Sequence, residues 1–227
     1  MARHDGCMDW TRLARFVRAL GAVAAVVVSL LCGPIAGSAG AEVAAPAGDV
    51  ISIGDPNALG QVDLYLDPLC PYSGKLIRKE GDELGRRIES GAIRVNLRLV
   101  NFLEKYSASG TYDRRAIYAA FVVAGESKSS DVAWRFIQQI FAKEHQPKEG
   151  GPTDLSNDQL AELAGRAGAP QSAQDLIRVG LPVGYDSRAI AANNLTLLHE
   201  FPNPGVPQVV INGQIIDDDD WLSRIPA

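Results

Sequence analysis

The chain has 227 residues, 46% of them apolar and 22% charged, and a formal net charge of −5. That is enough for one well-buried domain but not for two large independent ones. The acidic balance argues against nucleic acid and anionic lipid as partners.

The first forty residues differ from the rest. Arg3, Arg12, Arg15 and Arg18 precede an apolar run from Ala19 to Leu31, and small residues follow through Ala39, Gly40 and Ala41. A basic flank, a short apolar core and a small-residue cleavage site form a secretory signal pattern. The core is too short for a comfortable membrane-spanning helix, which needs about 20 residues. Residues 1–41 are therefore expected to be a cleaved signal peptide, and the protein to be exported: secreted, periplasmic or held in the cell envelope. An uncleaved anchor is the rival reading, and only then is a membrane a partner. Lipid attachment at Cys32 is disfavoured, because Leu31 sits where that processing wants a small residue. Cleavage removes the four arginines together with Asp5 and Asp9, leaving a mature net charge of about −7.

Cysteine usage narrows the chemistry. Of the three cysteines, Cys7 and Cys32 leave with the signal, so Cys70 is the mature domain's single thiol. Exported chains use structural cysteines in pairs, and an odd one points to intermolecular pairing or a free reactive thiol.

In chain order, Glu42 to Asn57 is rich in Ala, Gly and Pro and reads as a flexible tether, residues 42–57. Val62, Leu64 and Leu66 then alternate with polar neighbours, the period of a strand. After Pro71, the spacing of Ile77, Gly81, Leu84 and Ile88 predicts a helix that Gly91 terminates. Ile93, Val95, Leu97 and Leu99 return to strand period, completing a βαβ unit with Cys70 at its strand-to-helix junction. From Tyr106 to about Glu200 the pattern is helical. Ile117, Phe121 and Ala124 form one stripe; Val132, Phe136 and Ile140 form another behind Ser129, Ser130 and Asp131. Ser156 to Gln159 is a capping box with Gly168 as stop, and helical runs follow at Asp175 to Val179 and Ser187 to His199. Asn212-Gly213 between two apolar runs predicts a hairpin, and an amphipathic helix is expected near Asp220 to Ile225.

The Cys70-Pro71-Tyr72-Ser73 turn opening the first helix, together with the run "GVPQVVING" around Val206 and Pro207, resembles the DsbA-like branch of the thioredoxin fold. The resemblance implies an α/β thioredoxin fold, βαβ then ββα, over residues 58–227, with an inserted all-helical domain at about residues 106–200. By position it makes Cys70 the attacking thiol, Pro71 and Tyr72 the dipeptide that tunes it, and Pro207 a cis-proline that, with Val206, faces an extended client peptide. Ser73 stands where the family keeps a second, resolving cysteine, and Leu64 stands where many thioredoxin-fold enzymes keep a buried acid.

The residues themselves bear on the chemistry. A thiol at a helix N-terminus meets unpaired N–H groups and the positive end of the dipole, which favour its thiolate. Pro71 suits the first helical position, where its missing N–H costs nothing. A neutral serine hydroxyl cannot attack a mixed disulfide, so release needs a thiol from elsewhere. The expected activity is thiol–disulfide exchange through one cysteine, isomerase-like or reducing mixed disulfides. Its partners would be cysteine-containing client proteins and an external thiol or reductase. The alternative is a redox-silent binding or chaperone module. No cofactor or metal is expected: there is no zinc-ligand spacing or phosphate loop, His145 and His199 adjoin no nucleophile motif, and the acidic run Asp217 to Asp220 is sufficiently explained as a helix start.

Overall fold

The computed structural model describes residues 44–218 and 220–225; the expected signal peptide, residues 1–41, lies outside them. The strands are β1 (Ala44–Ala47), β2 (Val50–Gly54), β3 (Gly60–Leu66), β4 (Ile93–Leu99), β5 (Gln208–Ile211) and β6 (Gln214–Ile216). The helices are α1 (Pro71–Glu89), α2 (Tyr112–Ser127), α3 (Ser130–Phe141), α4 (Asn157–Ala167), α5 (Gln171–Val179) and α6 (Ser187–Leu198).

The strands form one sheet in the order β1-β2-β4-β3-β5-β6. β3 and β4 run parallel, with Val62 opposite Val95 and Leu64 opposite Leu97. A parallel neighbour requires a crossover, which α1 supplies, and its Ile77, Leu84 and Ile88 are buried. β5 lies antiparallel on the other side of β3 and turns into β6 at Asn212-Gly213. Both turn residues have positive φ, 49° and 80°, as the type I′ hairpin demands.

The segment read as a tether is a correction to the sequence expectation. β2 pairs antiparallel with β4, placing Ile51 opposite Leu97 and Ile53 opposite Val95, and both isoleucines are fully buried. Glycines and prolines flank the short Val-Ile-Ser-Ile run, and its partner strand lies some forty residues on. Local composition therefore displayed the turn residues and hid the pairing.

Between β4 and β5, the regular elements among the described residues are a 3-10 turn at Glu104–Tyr106 and helices α2 to α6. Ser129 caps α3 by accepting from Val132 N–H, and Ser156 with Gln159 forms the reciprocal capping box of α4. These helices have no separate core. Buried side chains from Ile51 in β2 through Phe121 in α2, Phe136 in α3 and Leu160 in α4 form one contiguous apolar cluster. Two buried polar contacts sew it to the sheet layer. Trp134 of α3 donates its indole N–H to the Gly81 carbonyl of α1 at 2.9 Å. Asn194 of α6 donates to the carbonyls of Asp49 and Leu99 at 2.8 and 3.2 Å.

The closing amphipathic helix is a second correction. Only a 3-10 turn forms, Trp221–Arg224, with Trp221 buried as an anchor. Pro226 follows Ile225, and proline disfavours helical geometry in the residue before it, so a longer helix has no room to propagate.

If β2 is a core strand, Ile53→Ala should lower the unfolding free energy by about 2–5 kcal/mol, the usual result of emptying a buried isoleucine site. In a solvated tether the same change would leave a urea denaturation curve unmoved.

Candidate active site

The register of β5 on β3 builds the site. Tyr65 pairs with Gln208, so the residues following Tyr65 lie beside those preceding Gln208. Cys70 and Val206, 136 positions apart, thereby meet: the Cys70 thiol donates to the Val206 carbonyl, with 3.6 Å between Sγ and oxygen. The Val206–Pro207 peptide bond is cis.

Cys70 is the N-cap of α1, in extended conformation, with Pro71 as the first helical residue. Its N–H donates to the Asp67 carbonyl at 3.0 Å, and its carbonyl accepts the first helical bond, from Gly74 at 3.1 Å. The residue is only 4% exposed, whereas Tyr72 is 68% exposed. Tyr72, Lys75 and Leu76 form one wall of a groove of about 450 Å³; Val206, Pro207 and Ile216 form part of the other. Ser73 is fully buried, and its hydroxyl accepts the Asp67 N–H at 3.3 Å, tying the loop after β3 to the first turn of α1. Leu64 is buried in the apolar interior of β3.

Buried acids are nevertheless present, in places the sequence reading did not assign. Asp67 is fully buried; its carboxylate accepts from the N–H groups of Leu69 at 2.9 Å and Leu103 at 3.1 Å. Asp113, in the first turn of α2, is equally buried, and neither of its carboxylate oxygens has a hydrogen-bond partner. Burial pushes the Asp67 carboxyl up to about 7 against the opposing pull of those backbone N–H groups. Burial, and next the nearby Asp67 charge, push Asp113 up to about 9. A neutral Asp113 is what an unpaired carboxyl in an apolar site requires. Asp67 was visible in the cysteine turn, where it reads as a turn residue. Asp113 reads as an ordinary acid in a helix's first turn, and nothing local signals its burial.

These shifts have a stability consequence with a definite sign. The folded state keeps protons that the unfolded chain releases near pH 4, so this pair's contribution falls as pH rises from about 4 through about 7 and 9. The urea midpoint of the wild type should accordingly decline from pH 5 to pH 9, and Asp113→Asn should make that decline shallower. Equal slopes for the two proteins would refute the buried-acid account.

Comparison with known proteins bears on the architecture. No family model matches the chain. The structure of MdbA, a thiol-disulfide oxidoreductase from Corynebacterium matruchotii, superimposes with a TM-score of 0.68 at 24% identity, over 82% of this chain and 92% of that one. Reduced DsbA from Mycobacterium tuberculosis gives 0.66 at 25% identity, over 78% and 91%. Reduced DsbG, a disulfide bond oxidoreductase from the same organism, gives 0.62 at 25% identity, over 77% and 84%. Among curated sequences, the serine/threonine-protein kinase PknE of Mycobacterium tuberculosis is 29% identical over 179 residues, 78% of this chain. The chain spans only 31% of the length of that relative. A structural agreement over 82% of the chain is far more than the sheet and α1 could supply, so it takes in the helices between β4 and β5 as well. By that architecture the chain has the thioredoxin fold with a helical insertion that the DsbA-like oxidoreductases show.

Proposed function

We propose that this is an exported thiol–disulfide exchange protein that works through Cys70 alone. The observation carrying the reading is a helix-capping thiol held on the carbonyl of Val206, a residue that with Tyr72 and Pro207 also lines the neighbouring groove. A client peptide lying in that groove would present its sulfur beside Cys70. The Cys70 thiolate attacks one sulfur of a client disulfide, forming a mixed disulfide and expelling the client's other sulfur as a thiolate. Either that thiolate, another client thiolate or an external thiol then attacks the mixed disulfide and regenerates Cys70. Release by a client thiol leaves the oxidation state unchanged and is isomerisation. Release by an external thiol frees Cys70 and leaves that thiol disulfide-bonded to the client; a second external thiol then frees the client sulfur, so that the client disulfide is reduced and the two thiols leave as a disulfide. Ser73 takes no covalent part: its hydroxyl is buried and occupied by the Asp67 N–H. The neighbours named as oxidoreductases support exchange chemistry in general. Export rests on the signal pattern of residues 1–41, Cys70 being the one thiol outside it.

One observation favours a second reading, a redox-silent client-binding module: Cys70 is only 4% exposed, which restricts approach to its sulfur.

The two readings part experimentally. Incubated with a peptide whose single cysteine is held as a mixed disulfide with thionitrobenzoate, the wild type should expel thionitrobenzoate and form a covalent adduct that persists until glutathione is added, and Cys70→Ser should form none. Ser73→Cys should form an internal disulfide with Cys70 under oxidising conditions and gain dithiol oxidase activity, because a helix-start turn of this spacing brings the two side chains within bonding reach. A wild type that binds the peptide without ever forming the adduct would establish the binding module instead.

A further inference from the structure

We infer that Gln146, which lies outside the cysteine turn and far from it in sequence, is a positioning residue for Cys70. This rests on the exchange reading above and adds to it the group that holds the reacting residue in place.

In the turn leading into α1 the N–H groups of Leu69 and Cys70 are already engaged by Asp67. Pro68 and Pro71 have no N–H, and no side chain caps α1. Gln146 adds a side-chain donor to two of the turn's carbonyls, that of Pro68 and that of Cys70, which also accepts the Gly74 N–H. Its Nε2 donates to the Pro68 carbonyl at 3.1 Å and to the Cys70 carbonyl at 2.9 Å, bracketing the residue that carries the thiol.

The amide is itself held from both sides. Its Oε1 accepts from Arg78 of α1 at 2.9 Å, and the same guanidinium nitrogen donates to the Phe141 carbonyl at the end of α3 at 2.7 Å. The Gln146 backbone N–H donates to the Ala142 carbonyl at 2.8 Å, which sets the turn after α3 that aims the side chain. An amide has one acceptor and one donor end, and here Arg78 takes the acceptor end, so the donor end must face the two carbonyls. Gly74 makes room: a Cβ at that position would collide with Gln146 Oε1 and with Arg78. The glycine in the first turn of α1 is thus explained by close approach of this amide, at a helix position where alanine is otherwise preferred.

The physical role follows. The amide fixes the orientation of the Cys70 peptide unit relative to Val206, and it places N–H dipoles, rather than bare oxygens, on the carbonyls next to the thiol. Gln146→Glu keeps the size and the partnership with Arg78, but replaces the donor by a carboxylate facing two carbonyl oxygens beside a sulfur that must become anionic to react.

The test is the rate at which iodoacetamide modifies Cys70 in the full-length folded chain, followed on the Cys70 peptide by mass spectrometry across pH. Gln146→Glu should react about tenfold more slowly than wild type at pH 7, the rate equivalent of about 1.4 kcal/mol, with its pH–rate profile displaced upward so that the two converge at high pH. Gln146→Ala should show a smaller loss and no such displacement. Gly74→Ala, which evicts the amide, should slow modification in the wild-type background and have no further effect in Gln146→Ala, a non-additivity that a general loss of stability would not produce. Wild-type reactivity in folded Gln146→Glu and Gln146→Ala overturns the inference and leaves the exchange reading standing. So does additivity of Gly74→Ala with Gln146→Ala, should Gln146→Glu fail to fold. A wild type whose Cys70 resists modification at every pH overturns both.

Discussion

The antiparallel pairing of β5 with β3 is the constraint from which the candidate site follows. Cys70 caps α1 because of local sequence, but a capping cysteine alone is only a thiol near a helix end. It becomes part of a site when the Tyr65–Gln208 register brings Val206 and Pro207 alongside. A slip of one residue would turn every β5 side chain to the opposite face and carry Val206 away from the sulfur. The four β5 residues are all buried, so such a slip would also cost apolar contact, and the same packing that stabilises the sheet holds the site.

A second level of organisation comes from the helical block. It shares one continuous core with the sheet, and it reaches the cysteine turn through polar contacts: Leu103 N–H to Asp67, and Gln146 to the Pro68 and Cys70 carbonyls. The turn is therefore held by the Leu103 N–H on its Asp67 carboxylate and by the Gln146 amide on its carbonyls. Both partners come from segments that follow β4, so the helices contribute to the chemistry as well as to the bulk of the protein.

The buried acids place a cost next to the thiol. Asp67 offsets its burial with backbone donors, whereas Asp113 has none and stays protonated near neutrality. Interiors seldom retain an unsatisfied carboxyl where an apolar side chain would pack, and Asp113 together with the buried Asp67 gives this region a pH dependence that the surface charge of the protein would not supply.

Periodicity alone determined the βαβ unit, the helices of the insertion and the hairpin, because each is a local pattern: alternation in Val62 to Leu66, four-and-three spacing in α1, a capping box at Ser156 and Gln159, and Asn-Gly at the turn. The cysteine turn was legible as a short motif at a helix start, whereas the cis bond and the site role of Pro207 were expected only from the resemblance to the DsbA-like branch. What tertiary structure decided was everything set by a distant partner. β2 is a strand because β4 pairs with it, and its own surroundings of glycine and proline said otherwise. Trp221 is an anchor in a 3-10 turn because the core accepts its ring while Pro226 denies it a helix. Asp113 and Gln146 are ordinary polar residues in a helical pattern until the fold buries one beside Asp67 and points the other at Cys70. Burial and long-range hydrogen bonds are properties of the packed chain, and no window of sequence contains both halves of them.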